Sequence, residues 1–278
     1  MLMDRLAVRL GLPRAPIVPV VRLQGTIGRT GPGRGGISLA SMSPALDRAF
    51  GWPGAKAVAL SINSPGGSAA QSALVARRIR DLSTAKKLPV LAFVEDVAAS
   101  GGYWLAVAAD EIHVNEASLV GSIGVIAAAF GFTEAIAKLG IDRRVHTAGD
   151  RKSLWDPFLP EKPEDVARLR AIQAELHRVF QDEVRARRGD RLKGTPEELF
   201  SGEIWVGAQA VTLGLADQVG ELRATLRARF GEGVRLPIVN PTRRGWRSRL
   251  RLGSAAEDWV DAALDAAESR AAWMRYGL

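Results

Sequence analysis

The chain has 278 residues, 47% of them apolar and 24% charged, with 38 Lys and Arg against 30 Asp and Glu for a net charge of +8. This is an ordinary globular balance; it excludes a mainly disordered chain and provides for one large domain or two modest ones. The absence of cysteine excludes disulfide frameworks, thiol nucleophiles and cysteine-based zinc sites.

Arg5, Arg9 and Arg14 break up the opening residues, so no signal-peptide apolar stretch is expected there. Ile17 to Ile27 is β-branched and poor in charge, and reads as a strand. Gly31, Gly33 and Gly36 follow at the dinucleotide-binding spacing, but Ser43-Pro44 offers the favoured N-cap and N1 pair for the next helix. A phosphate-binding glycine motif needs its helix to open on the last glycine, so this one reads as a chance match. Ala57 to Ile62 is an apolar strand ending in the turn Asn63-Ser64-Pro65-Gly66-Gly67, and Ser68 to Leu82 reads as a helix.

The same unit then repeats. Pro89 to Val94 is a strand, Ala98-Ala99-Ser100-Gly101-Gly102 a turn, Tyr103 to Val107 an apolar helix and Glu111 to Val114 a further strand. Continuous apolar strands alternating with helices predict a mostly parallel α/β sheet with flanking helices. Ala117 to Thr133 is an uncharged run of seventeen residues. It holds three glycines and falls short of the ~20 apolar residues of a membrane helix, so it is expected to be buried core. Thr133 to Leu139 reads as a helix, Ile141 to His146 as a strand, and Pro163 to Arg188 as a long amphipathic helix stopped by Gly189, with Val166, Leu169, Ile172, Leu176, Val179 and Val184 along its apolar stripe.

Beyond Asn240-Pro241, five arginines fall between Arg243 and Arg251 with no acid among them, and Ser254 and Glu257 form a capping box for a last helix. The expected organisation is a core domain over 15–240, then an Arg-rich linker and amphipathic helix over 241–278. The last helix suits packing on a neighbouring subunit and, with the arginines, peripheral contact with anionic lipid; the first use is favoured because Asp258, Asp261, Asp265 and Glu268 put acid on the same helix. No reader motif or aromatic platform accompanies the arginines, which argues against specific nucleic-acid binding.

The chemistry concentrates in the turns. Ser100 lies between alanines and two glycines at a strand-to-helix junction, where free N–H groups and a positive helix end favour an oxyanion. A capping serine in a tight turn is the competing reading of that turn alone. Gly66-Gly67, at the end of the preceding parallel strand, can present a second set of N–H groups toward the same point. His113 and His146 in apolar strands and His177 among charges on the long helix read as structural, and Gly-x-Ser-x-Gly is absent, so a Ser-His-Asp triad is not expected. Lys152 is the candidate base. A lysine acts as a base only when neutral, so its ordinary pKa of about 10.4 must be lowered by burial or nearby cations; Leu154, Trp155, Phe158 and Arg151 are the candidates for that environment.

The strings Asn63-Ser64-Pro65-Gly66-Gly67, Ala98-Ala99-Ser100-Gly101-Gly102-Tyr103 and Gly121-Ser122-Ile123-Gly124-Val125, with Lys152 and the stretch Gly207 to Asp217, resemble the signal peptide peptidase A (protease IV) family of serine peptidases over residues 15–230. The resemblance implies a Clp-protease/crotonase-like fold and a Ser-Lys dyad of Ser100 and Lys152, both from one chain. Ser122 would be the hydroxyl that orients the lysine, and Gly67 and Gly101 the oxyanion donors. It also implies peptide substrates such as cleaved signal peptides or membrane-derived fragments, a ring- or dome-shaped homo-oligomer, and neither cofactor nor metal. Family members usually carry an N-terminal membrane anchor; none is evident here, which leads to the expectation of a cytoplasmic protein with peripheral contact at the inner membrane. A crotonase-like CoA enzyme and an inactive scaffold share the fold; the first has no need of Lys152, and the second would be expected to have lost the dyad.

Overall fold

The computed structural model describes residues 15–28, 30–31, 34–149, 151–240, 267 and 270–278. In chain order the elements are β1 (Val20–Gln24), β2 (Thr30–Gly31), β3 (Arg34–Gly35), α1 (Leu39–Phe50), β4 (Val58–Ser64), α2 (Ala69–Lys86), β5 (Val90–Ala99), α3 (Gly101–Val107), β6 (Glu111–Val114) and β7 (Leu119–Gly121). There follow α4 (Thr133–Lys138), the long α5 (Pro163–Arg188), a 3-10 turn at Gly189–Arg191, α6 (Pro196–Leu199), β8 (Ile204–Val206), α7 (Gly207–Thr212), β9 (Gln218–Val219), α8 (Leu222–Phe230) and β10 (Ile238–Val239).

The strand order β10-β1-β4-β5-β6-β9 is parallel throughout. β5 is long enough to serve two neighbours. Its first half, Leu91 to Val94, pairs with β6; its second half, Val97 to Ala99, pairs with β7, which turns the sheet antiparallel at β8. Side chains alternate between two buried faces, as the two-residue period of a strand requires. Val21, Leu60 and Ala92 enter the larger core, covered by α1, α2, α3 and α5, whereas Val20, Ala59 and Leu91 face the smaller one, closed by α8 through Leu226. This is the mostly parallel α/β architecture expected from the strand composition.

One ion pair fixes α5 to the sheet. Arg188, buried at the helix end, makes two parallel bonds to Asp217 (2.9 and 3.0 Å) and a third from Nε to Gly214 O (2.8 Å). Asp217 also accepts from Ile112 N–H of β6 (2.7 Å), and Tyr103 of α3 donates to Leu215 O (2.8 Å). Burial pushes the Asp217 carboxyl up, but the bonds from Arg188 and Ile112 outweigh it and hold the group below the usual carboxylate range. At the other end of the contact, the rings of Trp104 and Phe180 stack at 4.5 Å and 7°.

Several boundaries differ from the sequence reading. α1 begins at Leu39, not at Ser43-Pro44, because Ser38 and Ser41 form a reciprocal capping box one turn earlier; Pro44 stands inside the helix at the loss of one donor. β5 runs on through Ala99, so the turn is confined to Ser100 and the helix opens on Gly101. The run Ala117 to Thr133 is core only in its first half. Val120 and Ile123 are buried, but Ile126 is 71% and Phe130 81% exposed. Ile141 to His146 is an exposed, irregular segment, because it reaches no sheet edge. Together with α4 it belongs to an excursion from about Val125 to Lys162 whose described residues are mostly exposed. The α5 bounds agree with the sequence reading, but its buried residues are Phe180, Val184 and Arg188, whereas Ile172, Leu176 and Val179 are 40–44% exposed. The Arg243–Arg251 cluster and the Ser254–Glu257 capping box lie outside the described residues.

Candidate active site

Three turns at the ends of β4, β5 and β7 converge on one cavity of about 1180 Å³ whose lining includes Gly66, Gly67, Ser100, Gly101 and Ser122. The ends of parallel strands are where α/β sheets place their sites. The cavity also takes Ile27 from the loop after β1, and Trp104, Leu176, His177 and Phe180 from α3 and α5.

Ser100 has φ +52 and ψ −121, a conformation L-residues rarely adopt, and it is the N-cap of α3 without using its hydroxyl as a cap. The capping-serine reading of this turn is therefore not what the structure shows. Its N–H donates to Gly121 O (2.8 Å) and its carbonyl accepts from Trp104 N–H (3.0 Å). The backbone is thus held at both ends while Oγ, without a hydrogen-bond partner among the described residues, faces the cavity. Strain of this kind, about 1–3 kcal/mol, persists only where surrounding bonds over-determine it, and it recurs at functional sites.

The two glycine turns touch. A Cβ on Gly66 would lie 2.8 Å from Ala99 O and 2.8 Å from Ser100 Cβ, and one on Gly101 would lie 3.4 Å from Gly67 N. Gly67, at φ +143, admits no side chain because its Cβ would fall 2.2 Å from Ile27 O. The parallel bridge of Ile27 to Gly67 runs through Gly66 O (2.9 Å) and Ser68 N–H (2.9 Å). That pattern leaves the Gly67 N–H unused by the bridge, and the Gly101 N–H is one of the free donors at the start of α3. The geometry can therefore bring two backbone donors to one face of the cavity beside Ser100.

Ser122 also has positive φ, +51, and its N–H donates to Glu203 O (2.6 Å). Its hydroxyl has no partner among the described residues. His177 was missed as a lining residue. Its Nε2 lies 3.0 Å from Ile123 O, so the imidazole braces the turn that carries Ser122. The available signal was the spacing Leu176, Phe180, Val184, Arg188, which turns the inner face of α5 away from the stripe read from the sequence. His113 is structural, as expected: fully buried, stacked on Phe93 at 4.6 Å, and pushed below the usual histidine range by burial despite Glu111 and Asp217. His146 is exposed on the excursion.

Lys152 does not line this cavity. It is exposed, on the turn after Gly149, and makes no ion pair among the described residues. Leu154, Trp155 and Phe158 are half-buried beside it but leave it in water. No group of His, Cys, Asp or Glu among the described residues could hold a metal ion, and no helix among them is long and apolar enough to cross a membrane.

Residues 83–232 match the model of peptidase family S49. Over 273 residues the chain is 47% identical to a Brucella abortus (strain 2308) protein named Na(+)/H(+) antiporter NhaA, covering 94% of this chain and 37% of that protein. It is 36% identical over 171 residues to the chloroplastic serine protease SPPA of Arabidopsis thaliana (60% of this chain, 24% of that one), and 31% identical over 169 residues to protease 4 of Haemophilus influenzae (59% and 26%). The chain thus spans well under half the length of each of these relatives. Among solved structures it is similar in fold to a mutant of the 1510-N membrane-bound stomatin-specific protease in complex with a substrate peptide, with a TM-score of 0.51 and 14% identity over 86% of this chain and 97% of that one.

Proposed function

Because this chain belongs to peptidase family S49, we propose that it hydrolyses peptide bonds, with Ser100 as nucleophile, Lys152 as general base, Ser122 as the hydroxyl that orients the lysine, and the Gly67 and Gly101 N–H groups as oxyanion donors. The observation that carries this reading is the strained conformation of Ser100 against the Gly66-Gly67 turn, with its hydroxyl unpartnered among the described residues. In the reaction, Ser100 Oγ attacks the scissile carbonyl as neutral Lys152 Nζ takes its proton. The two N–H groups hold the oxyanion. Collapse returns the proton from Lys152 to the leaving amine, and a water activated in the same way releases the acyl group.

Lys152 has to be brought to Ser100. Ile126, Phe130, Leu139 and Ile141 are 55–81% exposed on the excursion that bears it, an apolar surface without cover among the described residues. In our reading, which departs from the expectation of both dyad residues acting within one copy, a second copy of this chain covers that surface, so that the excursion of one copy delivers Lys152 to the cleft of the next and is dried by the contact. Heterologous contacts of this kind close into rings. Peptides released at membranes, including cleaved signal peptides, are the proposed substrates, with the basic 243–251 stretch available for peripheral attachment to anionic lipid.

The test uses two variants. Ser100→Ala and Lys152→Ala are each expected to lose peptidase activity and keep the fold. Mixed and reassembled, they are expected to regain activity, since some sites then pair an intact Ser100 with an intact Lys152 from the neighbour. Lys152→Ala at full activity overturns the dyad. Two inactive variants that stay inactive when mixed overturn its assembly between copies. Fluorophosphonate labelling of Ser100 separates the peptidase from a CoA enzyme or scaffold of the same fold.

A further inference from the structure

The cavity around Ser100 has a wall that the dyad does not explain. Ala272, Arg275 and Tyr276 line it together with Ser100 and Ser122. These residues belong to a short helical segment closed by Gly277 at φ +73, with Leu278 N–H on Trp273 O (3.3 Å) and Gly277 N–H on Met274 O (3.2 Å). The paired bonds are those of a Schellman cap, which fixes the turn presenting Arg275 and Tyr276. The Tyr276 hydroxyl reaches Pro65 O at 3.5 Å, beside the Gly66-Gly67 turn.

The charge in this cavity is lopsided. Among the described residues its lining includes no Asp or Glu, and Arg275 is the one arginine or lysine; the remainder of that lining is backbone, hydroxyl, imidazole and apolar side chain such as Trp104, Leu176 and Phe180. Arg78, Arg80, Arg178, Arg188 and Arg229 each meet a carboxylate, whereas the arginines without an ion pair among the described residues, such as Arg22, Arg168, Arg170 and Arg223, are exposed and do not line this cavity. Arg275 makes no ion pair among the described residues. A guanidinium is always charged, and its fork matches a carboxylate with two parallel bonds.

We propose that Arg275 is a specificity-determining residue that pairs with a carboxylate of the peptide lying in the cleft, so that the enzyme prefers peptides with an acidic group at a fixed distance from the scissile bond. The proposal rests on the peptidase reading of Ser100. The carboxylate comes from an Asp or Glu side chain or from the end of the peptide, and the two sources are separable.

The experiment takes internally quenched apolar peptides in which one Glu, with Gln as control, is walked along the chain, each made with a free and an amidated C-terminus. With the wild-type enzyme, one Glu position, or the free terminus, is expected to give about five-fold higher kcat/KM than its neutral counterpart, mainly through KM, as suits a partly exposed ion pair. In Arg275→Gln that ratio is expected to fall to about one, and Arg275→Glu is expected to favour Lys at the same position. A Glu effect at one position identifies a side chain as the source, and a free-acid effect identifies the terminus. Equal rates for all charged and neutral pairs overturn the proposal, as does an Arg275→Gln enzyme that is faster on every peptide with unchanged ratios, which would make the segment a cover. Binding of labelled Glu and Gln peptides to Ser100→Ala, read by fluorescence anisotropy, keeps the two readings apart. A Ser100→Ala protein that still cleaves overturns the nucleophile assignment, whereas equal binding of the two peptides overturns the role of Arg275.

Discussion

Gly66 and Ser100 stand so close that a Cβ on the glycine would lie 2.8 Å from the Cβ of the serine. Any side chain at position 66 therefore moves the proposed nucleophile, and φ +100 at Gly66 adds strain of its own. Gly66→Ala is expected to lower kcat by about 10²-fold or more, because small misplacements of a reacting group are costly, with a smaller change in KM. Steady-state kinetics with a thermal melt checks this. A folded Gly66→Ala enzyme with unaltered kcat would remove Ser100 from the reaction.

Ser122→Ala tests the proposed orienting hydroxyl. Its backbone, at φ +51, is held by Glu203 O and braced through Ile123 O by His177, so removal of Oγ is expected to leave the turn in place. Activity should fall by about tenfold, less than the 10²–10⁴-fold contribution typical of a general base, with KM little changed. The rate at which a fluorophosphonate labels Ser100 should fall in parallel. A labelling rate equal to that of wild type would show that Ser122 does not act on the dyad.

The sheet and the three turns were legible because their residues leave few alternatives. Val58 to Ile62 and Val90 to Val94 are uncharged, largely apolar runs within β4 and β5, and Gly66, Gly67 and Gly101 sit where backbone presses on backbone. Pro163 and Gly189 marked α5 at both ends. The excursion was not legible. Ile126, Phe130 and Ile141 have core composition, yet a residue is buried only if the topology brings it to a partner, and no strand edge lies within their reach. Periodicity also left the rotation of α5 undetermined, since Leu176 and Val184 belong both to the stripe with Ile172 and Val179 and to the row with Phe180 and Arg188. That ambiguity hid His177. The distance between Ser100 and Lys152 is a matter of how separate parts come together, which no motif spacing encodes.

The bidentate contact of Arg188 with Asp217 carries a stability consequence. Arg188 has a side-chain exposure of 2%, so Asp217→Asn leaves a buried guanidinium without its counter-charge. Breaking such a pair on one side typically costs about 3–5 kcal/mol. Equilibrium urea denaturation is expected to show a loss of that size with an unchanged m-value. Asp217 lies more than 100 residues from Ser100 in sequence and outside the cavity lining, so the folded fraction should keep its KM. A loss under 1 kcal/mol would mean that Gly214 O and the remaining bonds suffice to hold Arg188.

Two buried or half-buried groups, His113 and Asp217, contribute to the response of stability to acid. His113 is held below the usual histidine range by burial, and Gln218 Nε2 donates to its Nδ1 (3.0 Å), a bond that only the neutral ring accepts. The unfolded chain takes up a proton near pH 6.5, the folded chain only lower. Stability is therefore full above about pH 6.5 and falls as the pH drops below it, by at most about 1.4 kcal/mol per pH unit for one proton. Asp217, held below its ordinary value chiefly by Arg188 against the opposing effect of burial, contributes stability that is full above about pH 4 and lost as the pH falls further. Unfolding free energies across pH 8 to 3 should thus fall in two stages. His113→Gln keeps an acceptor for Gln218 without a titrating ring, and is expected to flatten the curve between about pH 6.5 and 5 while the acid stage persists. An unchanged slope in the upper window would exclude His113 as its source.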